Sequence, residues 1–226
     1  MSKDTNLDLD LSKISHLIFD WDGTVMDSAH KIVTCMQKAA IASSLKMPSP
    51  HEVHQIIGMS LVPAIERLFA VSSEKAEEVK HCYKEIFLSL DAIPCPLFNG
   101  AAESLAMLSK EYTLGVATGK ARRGLERALA STNTGHLFAK TMTADDALSK
   151  PSPEMLEKLL DAWQIDPSSA LMIGDTHFDM FMAEQINMPR IGVSYGVHSF
   201  DQLAVHKPLT IVDSFSDLHA LLVKRK

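Results

Sequence analysis

Apolar residues along the chain follow two different periods, and the change falls between residues 92 and 94. A short apolar run at 17–19 predicts a buried strand. From 28 to 92, apolar residues recur at helical spacing in four successive segments. From 94 onward, strand and helix signals alternate to the end of the chain. This alternation is typical of a doubly wound parallel α/β sheet, and it predicts that the helical block is inserted after the first strand.

The pattern also predicts the domain boundaries. We expect a core domain built from 13–27 and 94–226, and an inserted α-helical cap domain at 28–93. Residues 1–12, rich in Asp, Ser and Asn, are expected to form a loosely ordered lead-in. Later strands are predicted at 112–117, 139–143, 170–173, 191–194 and 210–212. Helices are predicted at 28–40, 49–57, 60–70, 72–90, 101–108, 124–130, 152–163, 176–186 and 215–223.

Polar residues follow the first predicted strand at the point where it ends. Because side chains alternate along a strand, Asp20 and Asp22 should point to one side and Trp21 to the other. Two neighbouring carboxylates repel each other, so they need a cation or a shared proton. Taken alone, Asp22-Gly23 indicates only a tight turn.

Two later strands also end in polar residues. Thr118-Gly119 follows one of them, and Asp175 follows the other, with Asp179 one helical turn further on. Ligands of open α/β sheets bind at the carboxyl ends of the strands, so these groups should converge with Asp20 and Asp22. Three or four carboxylates in one crevice predict a hard divalent cation, most naturally Mg²⁺.

A cation beside helix N-termini suits a phosphoryl group, and Lys150-Pro151 offers a positive charge to balance it. Taken alone, Lys150 indicates an exposed loop lysine and Thr118 a helix cap. Ser28 is a plausible N-cap of the first inserted helix. A P-loop is excluded because the segment from Gly115 to Lys120 lacks the required spacing and a following Ser or Thr.

Composition narrows the choice of partner. The chain has 226 residues and a formal charge of −6, which argues against a nucleic-acid partner. No apolar run is long enough to span a bilayer, so no membrane partner is expected. The three cysteines form no CxxC pair, which suits a reducing cytosol and predicts a cytoplasmic protein. A small basic cluster is either a solvated helix face or an aid to gathering an anion: Lys120, Arg122, Arg123 and Arg127. The oligomeric state cannot be inferred.

Four ordered motifs resemble those of the haloacid dehalogenase superfamily. They are Asp20-Trp-Asp-Gly-Thr24, Thr118-Gly119, Lys150-Pro151 and Gly174-Asp-Thr-x-x-Asp179. The helical insertion after the first motif resembles the small C1-type cap of some members. Within the superfamily, Ile57-Gly58-Met59-Ser60-Leu61 looks most like the phosphoglycolate phosphatase group. Thr118 stands where many relatives have serine, and both residues offer a hydroxyl.

The resemblance implies a reaction and a role for each motif residue. It implies a Mg²⁺-dependent phosphatase that hydrolyses a small-molecule phosphate monoester through an aspartyl-phosphate on Asp20. Asp22 would protonate the leaving oxygen and then activate water. The implied metal residues are Asp20, Asp22 through its carbonyl, Asp175 and, directly or through water, Asp179. The implied phosphate-binding residues are Thr118, Gly119 and Lys150.

Other readings remain open at this point. A general acid at Asp22 favours phosphate-ester cleavage over dehalogenation, because a departing halide needs no proton. A sugar-phosphate mutase would also retain Asp22, and a non-catalytic module that binds a phosphate ligand could use the same scaffold. Substrate choice is expected to come from the cap residues Gly58, Met59, Ser60 and Leu61, unless they pack only within the cap. His177 is expected to lie exposed beside the site rather than to bind the metal.

Overall fold

The computed structural model describes residues 11–90 and 95–223. Most of the predicted lead-in therefore lies outside the described residues, as does the predicted boundary at 93 and 94. At the start of the described chain, Leu11 and Ile14 are buried against the sheet rather than loose. The prediction of a loosely ordered segment is thus wrong for residue 11 and is not addressed for 1–10.

The described residues form a six-stranded parallel sheet, in the order β3-β2-β1-β4-β5-β6. The strands are β1 (His16–Phe19), β2 (Thr113–Ala117), β3 (Phe138–Met142), β4 (Ala170–Gly174), β5 (Arg190–Val193) and β6 (Thr210–Val212). Phe19 is in register with Val116 of β2 and with Ile173 of β4. The residues that follow these three strands are therefore brought to one edge of the sheet, where the direction of the strand order changes.

Both faces of the central strand are buried, as is usual for a parallel sheet. Leu17 and Phe19 pack into the apolar cluster on one face, and Ile18 packs into the cluster on the other. The Phe19 ring stacks on Phe215 with a centroid distance of 6.2 Å. This burial on both sides explains why the run at 17–19 is continuously apolar. The predicted doubly wound α/β architecture is confirmed.

Helices cover the sheet and build the insertion. The insertion contains α1 (Ala29–Ala42), α2 (Pro50–His54), α3 (Leu61–Phe69) and α4 (Ser73–Ser89). The sheet is covered by α5 (Ala101–Leu108), α6 (Arg122–Thr132), α7 (Glu154–Trp163), α8 (His177–Gln185), α9 (Phe200–Ala204) and α10 (Phe215–Val223). Among the described residues, no helix is long and apolar enough to cross a membrane.

Two local features differ from the prediction. Helix α2 ends at His54 instead of 57, and the chain continues in turns to Gly58, whose φ of +101° is a conformation that favours glycine. Helix α9 was not predicted because five residues carry no clear helical period. Its only sequence signal is a capping box between Ser199 and Gln202.

The inserted helices share an apolar cluster that is separate from the two clusters on the sheet. Its fully buried members include Met36, Val53, Ile65 and Val79. A separate core is what an inserted cap domain requires. The division at 28–93 stays a prediction.

Candidate active site

Three carboxylates from separate elements meet at the carboxyl edge of the sheet. Asp20 follows β1, Asp175 follows β4, and Asp179 lies in the first turn of α8. One oxygen from each lies within 4.8 Å of the others, and all three residues are at most 1% exposed. The structure thus brings together residues that are more than 150 positions apart in the chain.

Lys150 lies inside this group of carboxylates. Its Nζ is 2.8 Å from Oδ1 of Asp20 and 2.6 Å from Oδ1 of Asp179, and the side chain is fully buried. The interpretation of Lys150 as an exposed loop lysine is therefore wrong. Burial would lower the pKa of Lys150, but the charges of Asp179 and Asp20 outweigh it and raise that pKa above its ordinary value. Lys150 is a fixed positive charge.

The charges in this group do not balance. Three carboxylates face one ammonium group, which leaves a formal charge of −2 in a buried place. Burial raises the pKa of Asp20 to about 7 against the opposing charge of Lys150. Burial, with Asp20 and Asp179 nearby, also raises the pKa of Asp175 well above its ordinary range. Buried carboxylates of this kind are stabilised by a proton or by a cation.

The donor set fits a hard divalent cation. Oδ2 of Asp20 is buried and accepts no hydrogen bond from any described residue. Buried polar atoms without a partner are rare, and they often mark the position of an ion or water. Carboxylate oxygens are also the ligands that Mg²⁺ prefers. The residues at this site are therefore suitable ligands for such an ion.

Asp175 is held in place on both of its oxygens. Thr24 Oγ1 donates a hydrogen bond of 2.7 Å to Oδ1, and the Val197 N–H donates one of 2.9 Å to Oδ2. A side chain at Gly23 or at Gly196 would overlap the Asp175 carboxylate. Gly23 also has a φ of +87°, so it serves both a turn and a close approach.

Asp179 has a structural role in addition to any role in metal binding. Its Oδ2 accepts hydrogen bonds from the Thr176 N–H at 3.1 Å and from Thr176 Oγ1 at 2.6 Å, which forms a capping box for α8. Its Oδ1 accepts from Lys150. Asp179 therefore has more of its acceptor capacity occupied than Asp20 has. This arrangement fits a residue that positions Lys150.

The Asp22 carboxylate does not belong to the group of three carboxylates. Its Oδ1 accepts a hydrogen bond of 2.6 Å from Ser28 Oγ, and its Oδ2 lies 2.9 Å from Lys120 Nζ. Asp20 and Asp22 line the same cavity, while Trp21 is buried in the core as alternation predicts. The resemblance assigns the backbone carbonyl of Asp22 to the metal, and the contacts of the carboxylate with Ser28 and Lys120 are compatible with that assignment.

Ser28 and Lys120 are contacts that sequence reasoning missed at this site. Ser28 occupies the N-cap position of α1, but its side chain makes no capping hydrogen bond because the hydroxyl donates to Asp22. Sequence analysis named Lys120 only as a member of the basic cluster. Its position directly after Thr118-Gly119 was the one signal that could have placed it at the site.

Thr118 and Gly119, which follow β2, lie beside Asp20 and Asp22 in the wall of the same cavity. Thr118 is buried, and its Oγ1 accepts a hydrogen bond of 3.2 Å from the Lys120 N–H. The N-cap of α6 is Ala121, so the interpretation of Thr118 as a helix cap is wrong. A Cβ at Gly119 would lie 2.5 Å from the carbonyl oxygens of Gly58 and Met59. Only glycine allows the insertion to approach this closely.

A cavity of about 550 Å³ separates the insertion from the sheet. Its walls include Asp20, Asp22 and Thr118 on one side. The facing wall is formed by the segment that sequence analysis selected in the insertion: Gly58, Met59, Ser60 and Leu61. Met59 and Leu61 also pack against the apolar cluster of the insertion. They therefore both line the cavity and pack within the insertion, which sequence analysis had treated as alternatives.

Ser60 is a polar residue without a side-chain partner in this cavity. Its backbone N–H donates a hydrogen bond of 2.8 Å to Ser149 Oγ, across the boundary between the insertion and the core. Its own Oγ is buried and bonds to no described residue. A buried hydroxyl of this kind is expected to need a partner.

His177 lies beside the carboxylates without joining them. It is half-buried, and its Nδ1 is 3.1 Å from Nδ1 of His198. Burial, followed by the nearby His198 and His206, lowers the pKa of His177 to about 4. Among the described residues, the group of potential metal ligands contains only carboxylates.

Comparisons with known proteins identify the family of this chain. Residues 17–193 match the family described as Haloacid dehalogenase-like hydrolase. Over 216 residues the chain is 34% identical to a protein from Dickeya dadantii named probable phosphatase IndB, covering 91% of this chain and 94% of that protein. Over 212 residues it is 27% identical to pyrophosphatase PpaX of Bacillus mycoides, covering 93% and 97%.

A solved structure shows the same fold. A predicted phosphoglycolate phosphatase from Haemophilus somnus superposes with a TM-score of 0.83 at 22% identity, covering 93% of this chain and 98% of that one. The chain belongs to the haloacid dehalogenase-like hydrolase family. It is an enzyme of that family, and its relatives and structural neighbours include proteins named as phosphatases.

Proposed function

We propose that this hydrolase is a Mg²⁺-dependent phosphatase that cleaves small-molecule phosphate monoesters through an aspartyl-phosphate on Asp20. The observation that carries the proposal is the buried, unbalanced group of Asp20, Asp175, Asp179 and Lys150. Its formal charge of −2 matches a divalent cation. Asp20, whose Oδ2 accepts no hydrogen bond from a described residue, lines the cavity between the insertion and the sheet.

Asp20 is the proposed nucleophile. Lys150 forms an ion pair with Oδ1, whereas Oδ2 has no such contact and accepts no hydrogen bond from a described residue, so one oxygen is oriented and the other is available to attack phosphorus. The charge of Lys150 also favours the ionised form of Asp20 against burial. Mg²⁺, held by Asp20, Asp175 and the Asp22 carbonyl, would neutralise charge on the carboxylates and the phosphoryl oxygens.

Asp22 is the proposed acid and base. It is separate from the carboxylates that would bind the metal, and Ser28 and Lys120 fix its orientation on the cavity wall. Protonated Asp22 gives its proton to the leaving oxygen as the bond to phosphorus breaks. Ionised Asp22 then takes a proton from the water that attacks the aspartyl-phosphate.

Thr118, Gly119 and Lys150 are the proposed phosphate-binding residues. The Thr118 hydroxyl accepts from the Lys120 N–H, so its own proton is available to donate to a phosphoryl oxygen. Lys150 lies beside the proposed nucleophile and supplies positive charge to the same group. Donors that are already oriented stabilise the negative charge of the transition state without reorganising.

The insertion is the proposed cap and the source of substrate choice. Met59 and Leu61 offer apolar contact to a leaving group, and the Ser60 hydroxyl offers it a hydrogen bond. We keep 28–93 as the cap and 13–27 with 94–226 as the core. The names of the relatives support phosphoryl chemistry, but they do not identify the leaving group of the substrate. Three free cysteines fit the cytoplasm as the proposed location.

A panel of phosphate esters tests this function. Purified protein should release inorganic phosphate with Mg²⁺ and lose that activity in excess chelator. Asp20→Asn keeps the shape of the side chain without the nucleophile, so it should be inactive. Asp161→Asn, on the exposed face of α7, is the matched control and should keep full activity.

The same panel separates the alternatives. A sugar-phosphate mutase would form an isomeric phosphate ester without accumulating free phosphate. A non-catalytic binding module would bind an ester and release nothing. Full turnover of p-nitrophenyl phosphate by Asp20→Asn would contradict the assignment of the nucleophile.

A further inference from the structure

The walls of the cavity between the cap and the core are rich in positive charge. Its basic residues come from α4 of the cap and from the segment around the start of α6: Lys80, Lys84, Lys120, Arg123 and Arg127. Its acidic residues are Asp20, Asp22 and Asp145. The whole chain carries a formal charge of −6, so this positive lining runs against the overall charge. With five basic and three acidic residues, the lining carries an excess of positive charge, and such an excess concentrates ligands of the opposite sign.

The phosphoryl group does not account for all of these cations. Lys120 is paired with Asp22, and Lys80 with Glu77. Lys84 and Arg123 are exposed on the cavity wall, and neither lies within ion-pair distance of an acidic side chain in 11–90 or 95–223. Both are also distinct from Lys150, the buried lysine beside the proposed nucleophile.

The position of these two residues defines what they can bind. Lys84 belongs to the cap and Arg123 to the core, so a ligand that contacts both is enclosed between the two. The wall also contains Ile56, Tyr83 and Phe87, which can cover a carbon skeleton. A volume of about 550 Å³ is within the range of sites for small organic ligands, so it exceeds the need of a phosphoryl group alone.

Building on the proposed phosphatase function, we infer that the leaving group of the substrate carries a second anionic group, which Lys84 and Arg123 bind at the cavity wall. The group is a carboxylate or a phosphate. Arg123 offers the planar donor pair that both anions accept, and Lys84 offers a point charge from the other side. Binding of the second anion therefore selects the substrate.

Three esters with similar aryl leaving groups test this inference. Phenyl phosphate lacks the second anion, 4-carboxyphenyl phosphate carries a carboxylate, and 4-phosphonophenyl phosphate carries a phosphonate. The quantity to compare is the ratio of kcat/KM for each doubly anionic ester to kcat/KM for phenyl phosphate, measured with Mg²⁺. The two anionic esters show which kind of anion is preferred.

Lys84→Gln and Arg123→Gln remove one charge each from exposed positions. We expect the ratio to exceed about tenfold in the wild type, and to fall by about three- to fivefold in each variant. It should also fall as salt is added, because exposed charges are screened. Lys38→Gln, on an exposed position of α1 outside the cavity, is the matched control and should leave the ratio unchanged.

Two outcomes contradict the proposals in different ways. Phosphate release from all three esters with a ratio near one, or a ratio that neither variant changes, refutes the second-anion site and leaves the phosphatase function in place. Absence of phosphate release from every ester refutes the phosphatase function and this inference with it.

Discussion

Replacing Lys150 by methionine removes the one positive charge in the buried carboxylate group and keeps most of the apolar stem. Asp179 retains its hydrogen bonds from the Thr176 N–H and hydroxyl, whereas the Asp20 carboxylate accepts no hydrogen bond from a described residue and loses its ion pair with Lys150. Removing one partner of a buried ion pair typically costs about 3–5 kcal/mol of the unfolding free energy. We expect Lys150→Met to lose that amount at pH 8 in the presence of chelator.

The loss should depend on pH in a defined direction. Burial already raises the pKa of Asp20 to about 7, and the Lys150 charge opposes that rise, so its removal raises the pKa further. Folded Asp20 then binds a proton that the unfolded chain does not bind, and the stability of the variant increases as the pH falls from 8 to 5.5. Between pH 8 and pH 5.5 the gap to the wild type should narrow by up to about 1.4 kcal/mol, because a rise of the variant's pKa beyond 8 leaves Asp20 protonated at both pH values. Lys150 itself stays charged at both pH values.

Urea unfolding at pH 8 and pH 5.5 measures both effects. Lys75→Met is the control, because Lys75 forms an exposed ion pair of 2.8 Å with Glu78 that should contribute less than about 1 kcal/mol. A loss in Lys150→Met no larger than that of the control would refute the role assigned to this buried charge. A large loss that is equal at both pH values would refute the argument from the protonation of Asp20.

Three further predictions follow from the site. At one hundred times its Kd at pH 8, Mg²⁺ should stabilise the protein by about 2.7 kcal/mol, measured as a rise in Tm. The same Mg²⁺ concentration should raise Tm less at pH 5.5, because protons compete for Asp20 below about pH 7. An equal rise at both pH values would contradict this argument. Asp22→Asn should slow phosphorylation by an alkyl phosphate by about 10²–10⁴-fold and by p-nitrophenyl phosphate much less, in single-turnover experiments; equal losses would assign Asp22 a structural role. Met59→Ala combined with Leu61→Ala should reorder preferences across the ester panel while costing less than about 4 kcal/mol of unfolding free energy, since both side chains are only partly buried; an unchanged ranking would place them in cap packing alone.

The sequence was sufficient to predict those parts of the fold and site that depend on the local hydrophobic period and on the register of parallel strands. The run at 17–19 predicts the central strand, and the alternation after 94 predicts the sheet around it. The meeting of Asp20 with Asp175 follows because Phe19 and Ile173 are in register, so the next residues of both strands reach the same edge. These features repeat along the chain and can be recognised without coordinates.

The remaining contacts could not be predicted because they depend on which of several partners a side chain meets in three dimensions. The motif Lys150-Pro151 marked Lys150 as a phosphate-binding candidate, but its ion pair with Asp179, 29 positions away, has no signal in the sequence. The Ser28 hydroxyl had a local alternative, the N-cap of α1, and it bonds to Asp22 instead. The cation at Lys120 acquires a role only because the Asp22 carboxylate turns toward it.

Rapid acid quenching of the phosphatase reaction, followed by peptide mass spectrometry, tests the central claim most directly. Asp22→Asn lacks the base that activates water, so it should accumulate the intermediate from p-nitrophenyl phosphate. We predict one phosphoryl group on Asp20 in that variant, a smaller transient amount in the wild type, and none when Asp20 is replaced by Asn. Steady release of phosphate with no phosphoryl group on Asp20 in either protein, or with the group on another residue, would contradict the proposed mechanism.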